Sequence, residues 1–240
     1  CATTRSEPTT NSSCRDSADT ITFVRINQYI AQATGISRRK ADELISQSQV
    51  IINGKPALLG STITPDDIVT IAGKNISLQA HKTILLNKPV GYVCSRNGQN
   101  NPTIYELLPT EWHHLKSIGR LDKDSSGLLI LTNDGRLHHE LSHPSAGKIK
   151  KYSITLESPL KNNDLLALKK GVLLTDGISK LHIEPEGNST KHWIVSISEG
   201  RNRQIRRTFG TLGYTITKLH RQAFGPYVLD GLKAGEYKQI

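Results

Sequence analysis

Apolar side chains first recur at helical spacing near residue 25, after a long polar stretch. Residues 1–20 are rich in Ser, Thr, Asp and Arg, and such a segment buries too little apolar surface to offset the entropy lost on ordering. We therefore predict a disordered tail there. Ile26, Tyr29 and Ile30 then share one face of a predicted helix, and Gly35 is a residue type that commonly ends helices.

A second helix and several short strands follow, and together they predict a small α+β module over residues 21–72. Ser37 is a good N-cap for the second helix, whose inner face would carry Ala41. The Asn53-Gly54 pair predicts a tight turn after a strand. The predicted strands of this module span residues 50–53 and 68–71, and the predicted polar linker spans residues 73–82.

From residue 83 onward, strand-like and helix-like segments alternate irregularly. The predicted strands span residues 83–86, 128–131, 152–156 and 193–197, and the predicted helices span residues 160–170 and 202–212. A parallel sheet would require regular alternation of strands and helices, and this pattern lacks it. We therefore predict a second domain over residues 83–240, with a mixed or antiparallel sheet and flanking helices.

The net charge of the chain indicates which class of molecule it binds. It carries 31 Lys+Arg against 21 Asp+Glu, a formal net charge of +10, and a surface this basic attracts polyanions. No stretch approaches the roughly 20 apolar residues that span a bilayer, and the start shows no signal-peptide pattern. Nucleic acid is therefore the favoured partner. Three widely spaced cysteines predict neither a disulfide framework nor a metal cluster, and they favour a reducing cytoplasm.

Arg38, Arg39 and Lys40 crowd the first turn of the second predicted helix. Cations at this position destabilise the helix, because the N-terminal end of a helix is already positive. One interpretation is partial pairing with Asp42 and Glu43 at i,i+4 spacing. The interpretation we favour is a phosphate site, where three cations and the helix N-terminus would act together.

Three segments of unusual composition lie in the second domain. They span residues 87–92, 119–135 and 199–207. In the middle segment, Asp122 lies in a polar loop just before an apolar strand, and Arg120 and Lys123 beside it would favour an ionised carboxylate. A carboxylate can act as a nucleophile or a base. These residues alone do not distinguish Asp122 from Asp124, and loop aspartates are commonly turn formers.

The third segment predicts a helix that begins with a concentration of arginines. Asn202 can cap this helix, and Arg203, Arg206 and Arg207 would line its outer faces with few acidic residues nearby. A solvated helix surface would explain them, but we favour a phosphate-binding ridge.

The N-terminal module contains the string VRINQYIAQATGISRRKADELISQSQVIINGKPALLGSTITPDDIV. This string resembles the S-four-type RNA-binding domain over nearly its whole length, including SRRKAD at the helix start and INGK at the turn. The resemblance implies that this module binds RNA. The implied RNA-binding residues are Arg38, Arg39, Lys40 and Lys55.

The second domain contains LLNKPVGYVCS, IGRLDKDSSGLLILTNDG, KIKKYSITLESPL, ISEGRNRQIRRTFGTLGY and LDGLKAGEY. Together these strings resemble the catalytic domain of the ribosomal RNA pseudouridine synthases of the RsuA, RluB, RluE and RluF type. The resemblance implies an α+β fold whose mixed, largely antiparallel central sheet is crossed by a cleft. It also implies isomerisation of uridine to pseudouridine, which changes no redox state and needs no cofactor and no metal.

The resemblance assigns roles to individual residues. Asp122 would be the catalytic nucleophile, Tyr152 would pack against the target uracil, and Arg201 would pair with Asp122 and aim it. Arg120 and Leu121 would shape the active-site loop. The implied RNA-binding residues of this domain are Lys88, Arg203, Arg206 and Arg207.

Other classes of protein fit the sequence less well. The chief alternative is a catalytically inactive RNA-binding or ribosome-assembly factor. Such a protein would be expected to have lost the characteristic residues of the three segments. A methyltransferase would need a GxGxxG loop after a strand, and an aminoacyl-tRNA synthetase would need a HIGH-like signature. The strings mix features of small-subunit and large-subunit enzymes, so the ribosomal subunit stays open. We expect a monomer that acts on ribosomal RNA or on a subunit assembly intermediate.

Overall fold

The computed structural model describes residues 23–143 and 147–240. The disordered tail predicted for residues 1–20 lies outside these described residues, as do Cys1 and Cys14. Within the described ranges, no helix is both long and apolar enough to cross a membrane.

The N-terminal unit packs two helices against short strands. Its elements are β1 (Val24–Arg25), α1 (Ile26–Thr34), α2 (Arg38–Ser46), β2 (Val50–Ile52), β3 (Lys55–Pro56), β4 (Thr62–Ile63), β5 (Val69–Ile71) and β6 (Lys74–Ile76). Strands β3, β2, β5 and β6 form an antiparallel sheet in that order, and β1 pairs with β4. Ile26, Ile30 and Ile45 are buried in the core between helices and strands, as apolar residues at helical spacing should be.

The chemistry predicted for both helix ends is confirmed. Gly35 follows α1 with a φ of +78°, and its N–H donates to the Ala31 carbonyl. Ser37 precedes α2, and its hydroxyl accepts a hydrogen bond of 3.1 Å from the Lys40 N–H. These two caps satisfy backbone groups that a helix cannot pair internally, so local sequence alone determines where α1 ends and α2 begins.

The end of this unit differs from the sequence prediction. Strand β6 lies within residues 73–82, which the sequence predicts as a linker. Ala72 and Gly73 have φ values of +47° and +77°, the left-handed geometry of a tight hairpin turn, and the chain returns along β5. Ile76 then packs against the core, and its carbonyl accepts a hydrogen bond of 3.1 Å from the Tyr29 hydroxyl.

The second unit is built on one large sheet. Its elements are β7 (Thr83–Lys88), β8 (Lys116–Ile118), β9 (Ser126–Thr132), α3 (Gly135–Ser142), β10 (Lys150–Leu156), α4 (Asn162–Lys170), β11 (Val172–Leu174), β12 (Gly177–Ser179), β13 (His182–Pro185), β14 (His192–Ile197), α5 (Gln204–Thr211), β15 (Ile216–Phe224), β16 (Tyr227–Val228) and β17 (Tyr237–Gln239). Short 3₁₀ helices lie at Ile104–Leu107 and Thr110–Trp112.

The central sheet is mixed and largely antiparallel, which confirms the predicted fold class. Its strand order is β13-β14-β10-β15-β9-β7-β17, with β16 beside β15 and β8 beside β9. The pair β9–β15 is parallel, whereas the other pairs of this sheet in the described residues are antiparallel. The parallel pair lies at the middle of the sheet, directly after the loop that carries Asp122.

Glycine is required where β9 and β15 meet. Gly127 has a φ of +107°, and a Cβ atom built on it would lie 2.3 Å from the Arg221 carbonyl oxygen and 2.5 Å from its nitrogen. Any larger residue would push the two strands apart, because real Cβ atoms do not approach backbone so closely. The close approach joins the Asp122 loop to the strand that carries Arg221.

Candidate active site

A cleft of about 570 Å³ crosses the central sheet beside the loop between β8 and β9. Its walls come from that loop, from β10 and β15, and from the connection between β14 and α5. The lining includes Arg120, Leu121, Asp122, Lys150, Tyr152, Arg201, Arg203, Arg206, Leu219, Arg221 and Phe224. The structure therefore brings the predicted nucleophile, the predicted uracil platform and most of the predicted arginines to one cleft.

Lys88 supports the Asp122 loop from inside the protein. Its side chain is fully buried, and its ammonium donates to the carbonyls of Pro89, Asp122 and Ser125 at 2.9, 3.1 and 2.8 Å. Burial lowers the pKa of Lys88, while the nearby Asp122 and Asp124 charges oppose that shift. The position of Lys88 does not favour the predicted RNA contact, because β7 ends beneath the loop and the buried ammonium is directed at three backbone carbonyls.

Further contacts hold the same loop in place. Leu121 is buried, and both its N–H and its carbonyl lie 3.4 Å from the Cys94 sulfur. The Gly91 N–H donates to the Lys123 carbonyl at 2.7 Å. Arg120 is exposed at the rim of the cleft. The backbone on both sides of Asp122 is thus anchored, so that its side chain projects from a restrained support.

Asp122 and Asp124 share one arginine. Nη1 of Arg203 lies 3.4 Å from Oδ2 of Asp122, and both terminal nitrogens of Arg203 donate to Asp124, each at 3.0 Å. Arg206 lies 3.2 Å from the Asp124 carboxylate through Nε, and it donates to the Asp124 carbonyl at 2.9 Å. The hydrogen bonds from Arg203 hold the pKa of Asp124 below its usual value. Asp124 therefore fixes two arginines next to Asp122.

The ion pair predicted between Arg201 and Asp122 is not formed in the described residues, because Arg201 is engaged elsewhere. Its Nη1 donates to the carboxylate and the carbonyl of Asp176, both at 3.0 Å, and its Nη2 lies 3.1 Å from the Glu199 carboxylate. Arg207 also binds the Asp176 carboxylate, with two hydrogen bonds of 3.0 and 2.7 Å. Arg201 and Arg207 thus fasten the β11–β12 hairpin to the start of α5.

The start of α5 also differs from prediction. Asn202 was expected to cap this helix, but the cap position is held by Arg203, whose φ of +45° is left-handed and whose side chain makes no capping bond. The side chain of Gln204 instead accepts a hydrogen bond of 3.3 Å from the Arg201 N–H and donates to Glu199 and to Ser179. This unusual turn separates the partners of Arg201 from those of Arg203.

Two residues on neighbouring strands form much of the cleft floor. Tyr152 on β10 and Arg221 on β15 are paired in register, and their side chains are 7% and 2% exposed. The Arg221 Nε donates to the Leu128 carbonyl at 2.7 Å, whereas its Nη2 is buried without a hydrogen-bond partner. Arg221 was not predicted as a site residue, and the signal that could have found it is its position between the apolar residues Leu219 and Phe224.

The cations of the N-terminal unit have a different setting. Arg38, Arg39, Lys40 and Lys55 are all exposed. Lys40 pairs with Glu43 at 2.7 Å, but neither Arg38 nor Arg39 has a carboxylate within 4 Å in the described part of the chain. Arg38 also borders a second cleft of about 520 Å³ between α1 and α3. Three of the four predicted RNA-binding cations, Arg38, Arg39 and Lys55, are therefore exposed without a carboxylate partner in the described residues.

Among the residues that the structure describes, no group of three or more His, Cys, Asp or Glu side chains is arranged to hold a metal ion.

Comparison with known proteins identifies both units. Residues 82–210 match the family described as RNA pseudouridylate synthase, and residues 24–69 match the S4 domain. The chain is 35% identical to an uncharacterized RNA pseudouridine synthase of Aquifex aeolicus, covering 90% of each protein. It is also 35% identical to the ribosomal small subunit pseudouridine synthase A of Haemophilus influenzae, covering 90% of this chain and 96% of that protein.

Two further relatives extend the comparison. The dual-specificity RNA pseudouridine synthase RluF of Escherichia coli is 32% identical over 90% of this chain and 75% of its own length. A solved structure described as a crystal structure of pseudouridylate synthase is 33% identical, with a TM-score of 0.66, and the match covers 90% of this chain and 96% of that chain.

Proposed function

The chain belongs to the RNA pseudouridylate synthase family, and on that basis we propose that it isomerises specific uridines of ribosomal RNA with Asp122 as the nucleophile. Relatives named for the ribosomal small subunit support ribosomal RNA as the substrate. The observation that carries the proposal is the setting of Asp122. Its carboxylate lies at the edge of a cleft that also holds Tyr152, on a loop supported by Lys88 and beside Arg203.

The bond changes of the reaction need one nucleophile. An Asp122 oxygen attacks C1′ of the ribose as the C1′–N1 bond breaks, and the electron pair of that bond leaves with the uracil. The uracil then turns so that C5 faces C1′. C5 forms the new bond to C1′ as the Asp122 oxygen departs. The proton on C5 then leaves and N1 takes up a proton, which restores the C5=C6 double bond of the uracil ring. No electrons are gained or lost overall, so the isomerisation proceeds without a redox cofactor.

Orientation of the carboxylate is the contribution of Arg203 in this proposal. Its guanidinium lies 3.4 Å from Asp122 and is itself held by two hydrogen bonds to Asp124. A donor fixed in this way restricts the directions that the attacking oxygen can take. Arg203 thus takes the role that the sequence resemblance implied for Arg201.

The target base has to leave the RNA stack before it can react. Flipping a nucleotide costs a few kcal/mol, which enzymes offset by stacking the base on an aromatic side chain. Tyr152 lies on the cleft floor with its ring largely buried, and we propose that it packs against the uracil. Its place on a central strand of the sheet gives the base a rigid platform.

RNA outside the target nucleotide would be held by the N-terminal unit. Arg38 and Arg39 are exposed beside the N-terminus of α2, and Lys55 is exposed on β3. Free cations next to a helix N-terminus favour binding of a backbone phosphate. We propose that these residues position ribosomal RNA, or a subunit assembly intermediate, on a monomeric enzyme, with Lys40 contributing after exchange of its Glu43 partner.

The test is tritium release from uridine labelled at C5, in protein-free ribosomal RNA and in isolated subunits. We expect the wild type to release tritium and Asp122→Asn to lose at least about 10³-fold in rate, with RNA affinity nearly unchanged because the phosphate-binding cations remain. Asp66→Asn, which changes an exposed carboxylate of the N-terminal unit, is the matched control.

The outcomes separate the parts of the proposal. Near-normal release by Asp122→Asn would show that another residue is the nucleophile. Absence of release by the wild type from every ribosomal substrate would reject ribosomal RNA as the target. Tight RNA binding in that case would favour the alternative of a binding or assembly factor.

A further inference from the structure

Arg221 is a buried cation whose charge is not neutralised by a nearby carboxylate. The side chain is 2% exposed, and in the described residues no carboxylate lies within 4 Å of its guanidinium. One nitrogen, Nε, donates to the Leu128 carbonyl at 2.7 Å, but Nη2 has no hydrogen-bond partner among the residues that the structure describes. Burying a charge without a partner is costly, and an unsatisfied buried donor in a folded protein requires an explanation.

Its position links this charge to the cleft. Arg221 borders the cleft together with Asp122 and Tyr152, and it lies opposite Tyr152 in the β10–β15 ladder. Gly127 permits this placement, since a side chain there would collide with the Arg221 backbone. The cation is thus built into the centre of the sheet, beside the Tyr152 platform for the base.

The positive charge of Arg221 also affects other groups that line the cleft. Burial and the Arg221 charge both lower the pKa of Lys150, which also borders the cleft. The guanidinium centre lies 5.2 Å from the Phe224 ring. An uncompensated charge in a largely buried setting is screened less than a surface charge, so a group bound in the cleft would experience it strongly.

We propose that Arg221 stabilises the negative charge that uracil carries after its bond to the ribose has broken. The inference rests on the proposed isomerisation at Asp122. When the C1′–N1 bond breaks, its electron pair passes to N1 and is delocalised over O2 and O4, and the uracil keeps that charge until C5 bonds to C1′. A preorganised cation beside a developing anion lowers the barrier.

Three other cations that line the cleft are less suited to this task. Arg203 and Arg206 are both engaged with the Asp124 carboxylate, so part of their charge is already neutralised. Lys150 lies on the strand next to β15, and its ammonium is 3.4 Å from the Glu199 carbonyl. Arg221 combines burial, an unused donor nitrogen and the absence of an acidic partner within the described residues.

The experiment compares two RNA substrates that carry uridine or 5-fluorouridine at the target position. Fluorine at C5 withdraws electrons and makes the uracil a better leaving group, so bond cleavage depends less on a stabilising cation. Single-turnover consumption of each nucleoside is followed by digestion and mass spectrometry. For Arg221→Gln we expect about a 10²-fold slower reaction with uridine, and a loss at least about tenfold smaller with 5-fluorouridine.

Comparing the two substrates on one protein makes the result independent of folding, because a misfolded fraction lowers both rates equally. Arg221→Lys retains the charge and should recover part of the uridine rate, and Arg136→Gln changes an exposed arginine of α3 as a control. Equal losses on both substrates would overturn the inference and leave Arg221 a structural role. A wild type that consumes neither substrate would instead overturn the proposed function.

Discussion

Basic residues gather at the start of α2 and again at the start of α5, and the two clusters have opposite surroundings. At α2, Arg38 and Arg39 are exposed and have no carboxylate within 4 Å in the described residues. At α5, Arg203, Arg206 and Arg207 each bind an aspartate through hydrogen bonds or ion pairs. Both clusters were predicted to bind phosphate, but only the first keeps its cations available for that purpose.

The difference arises from partners that are distant in sequence. The Asp124 carboxylate comes to Arg203 from 79 residues away and Asp176 comes to Arg207 from 31 residues away. A surface cation without a partner contributes affinity for RNA and steers its approach. A cation fixed by a carboxylate contributes geometry instead. Substitutions in the two clusters should therefore change different kinetic quantities.

The largest effect should come from breaking the α5 cluster at Asp124. Asp124→Asn removes the charge that holds Arg203 and Arg206 beside Asp122, and misplacement of this kind costs on the order of 10² in rate. We expect the single-turnover rate of tritium release at saturating RNA to fall by about that factor. RNA affinity, measured by filter binding, should change little because the α2 cluster is untouched.

Asp230→Asn, at an exposed position far along the chain, is the matched control for Asp124→Asn. An unchanged rate in Asp124→Asn would mean that its ion pairs behave like ordinary surface pairs, which contribute about 0–1 kcal/mol. The distinction between positioning and binding arginines would then fail at α5.

A second, smaller effect should come from the α2 cluster, where we expect affinity to change and the chemical step to be retained. Combined substitution of Arg38, Arg39 and Lys40 by Glu should weaken RNA binding. It should also flatten the dependence of log Kd on log salt by about one for each cation that meets a phosphate. The rate at saturating RNA should stay close to that of the wild type.

A control with the same change in formal charge is available elsewhere on the surface. Lys169, Lys170 and Lys180 are exposed, and their combined substitution by Glu alters the net charge equally without touching α2. If both triple variants lost the same affinity, binding would depend on total charge and the α2 cluster would have no special role.

Local chemistry explains which features could be predicted from the sequence. The boundary between α1 and α2 was predicted because Gly35 and Ser37 act on the backbone next to them. The loop carrying Asp122 was identified from its polar composition before an apolar strand. Each of these features depends on residues within a few positions of one another.

Other features depend on residues that are distant in sequence. Lys88 and Arg201 bind partners that lie 34 and 25 residues away, at Asp122 and Asp176, and the sequence did not predict these contacts. Strand β15 was missed although it lies in the middle of the sheet, because Lys218 and Arg221 interrupt the alternation expected of a strand. A buried arginine is tolerated only where a distant carbonyl accepts from it, and no local pattern contains that information.

The smallest expected effect is a pH dependence of the free energy of unfolding that arises at Asp124 in the α5 cluster. Hydrogen bonds from Arg203 lower the pKa of Asp124 from its ordinary value of 3.8, so the folded state binds this proton less readily than the unfolded state. The resulting stabilisation is complete above pH 3.8 and is lost as pH falls through the lower pKa of the folded state. Urea unfolding from neutral pH to about pH 3 should therefore show a difference between wild type and Asp124→Asn that shrinks below pH 3.8. Groups that titrate equally in both proteins cancel in this difference, and a difference that stayed constant into acid would mean that Asp124 stabilises the fold through its shape rather than its charge.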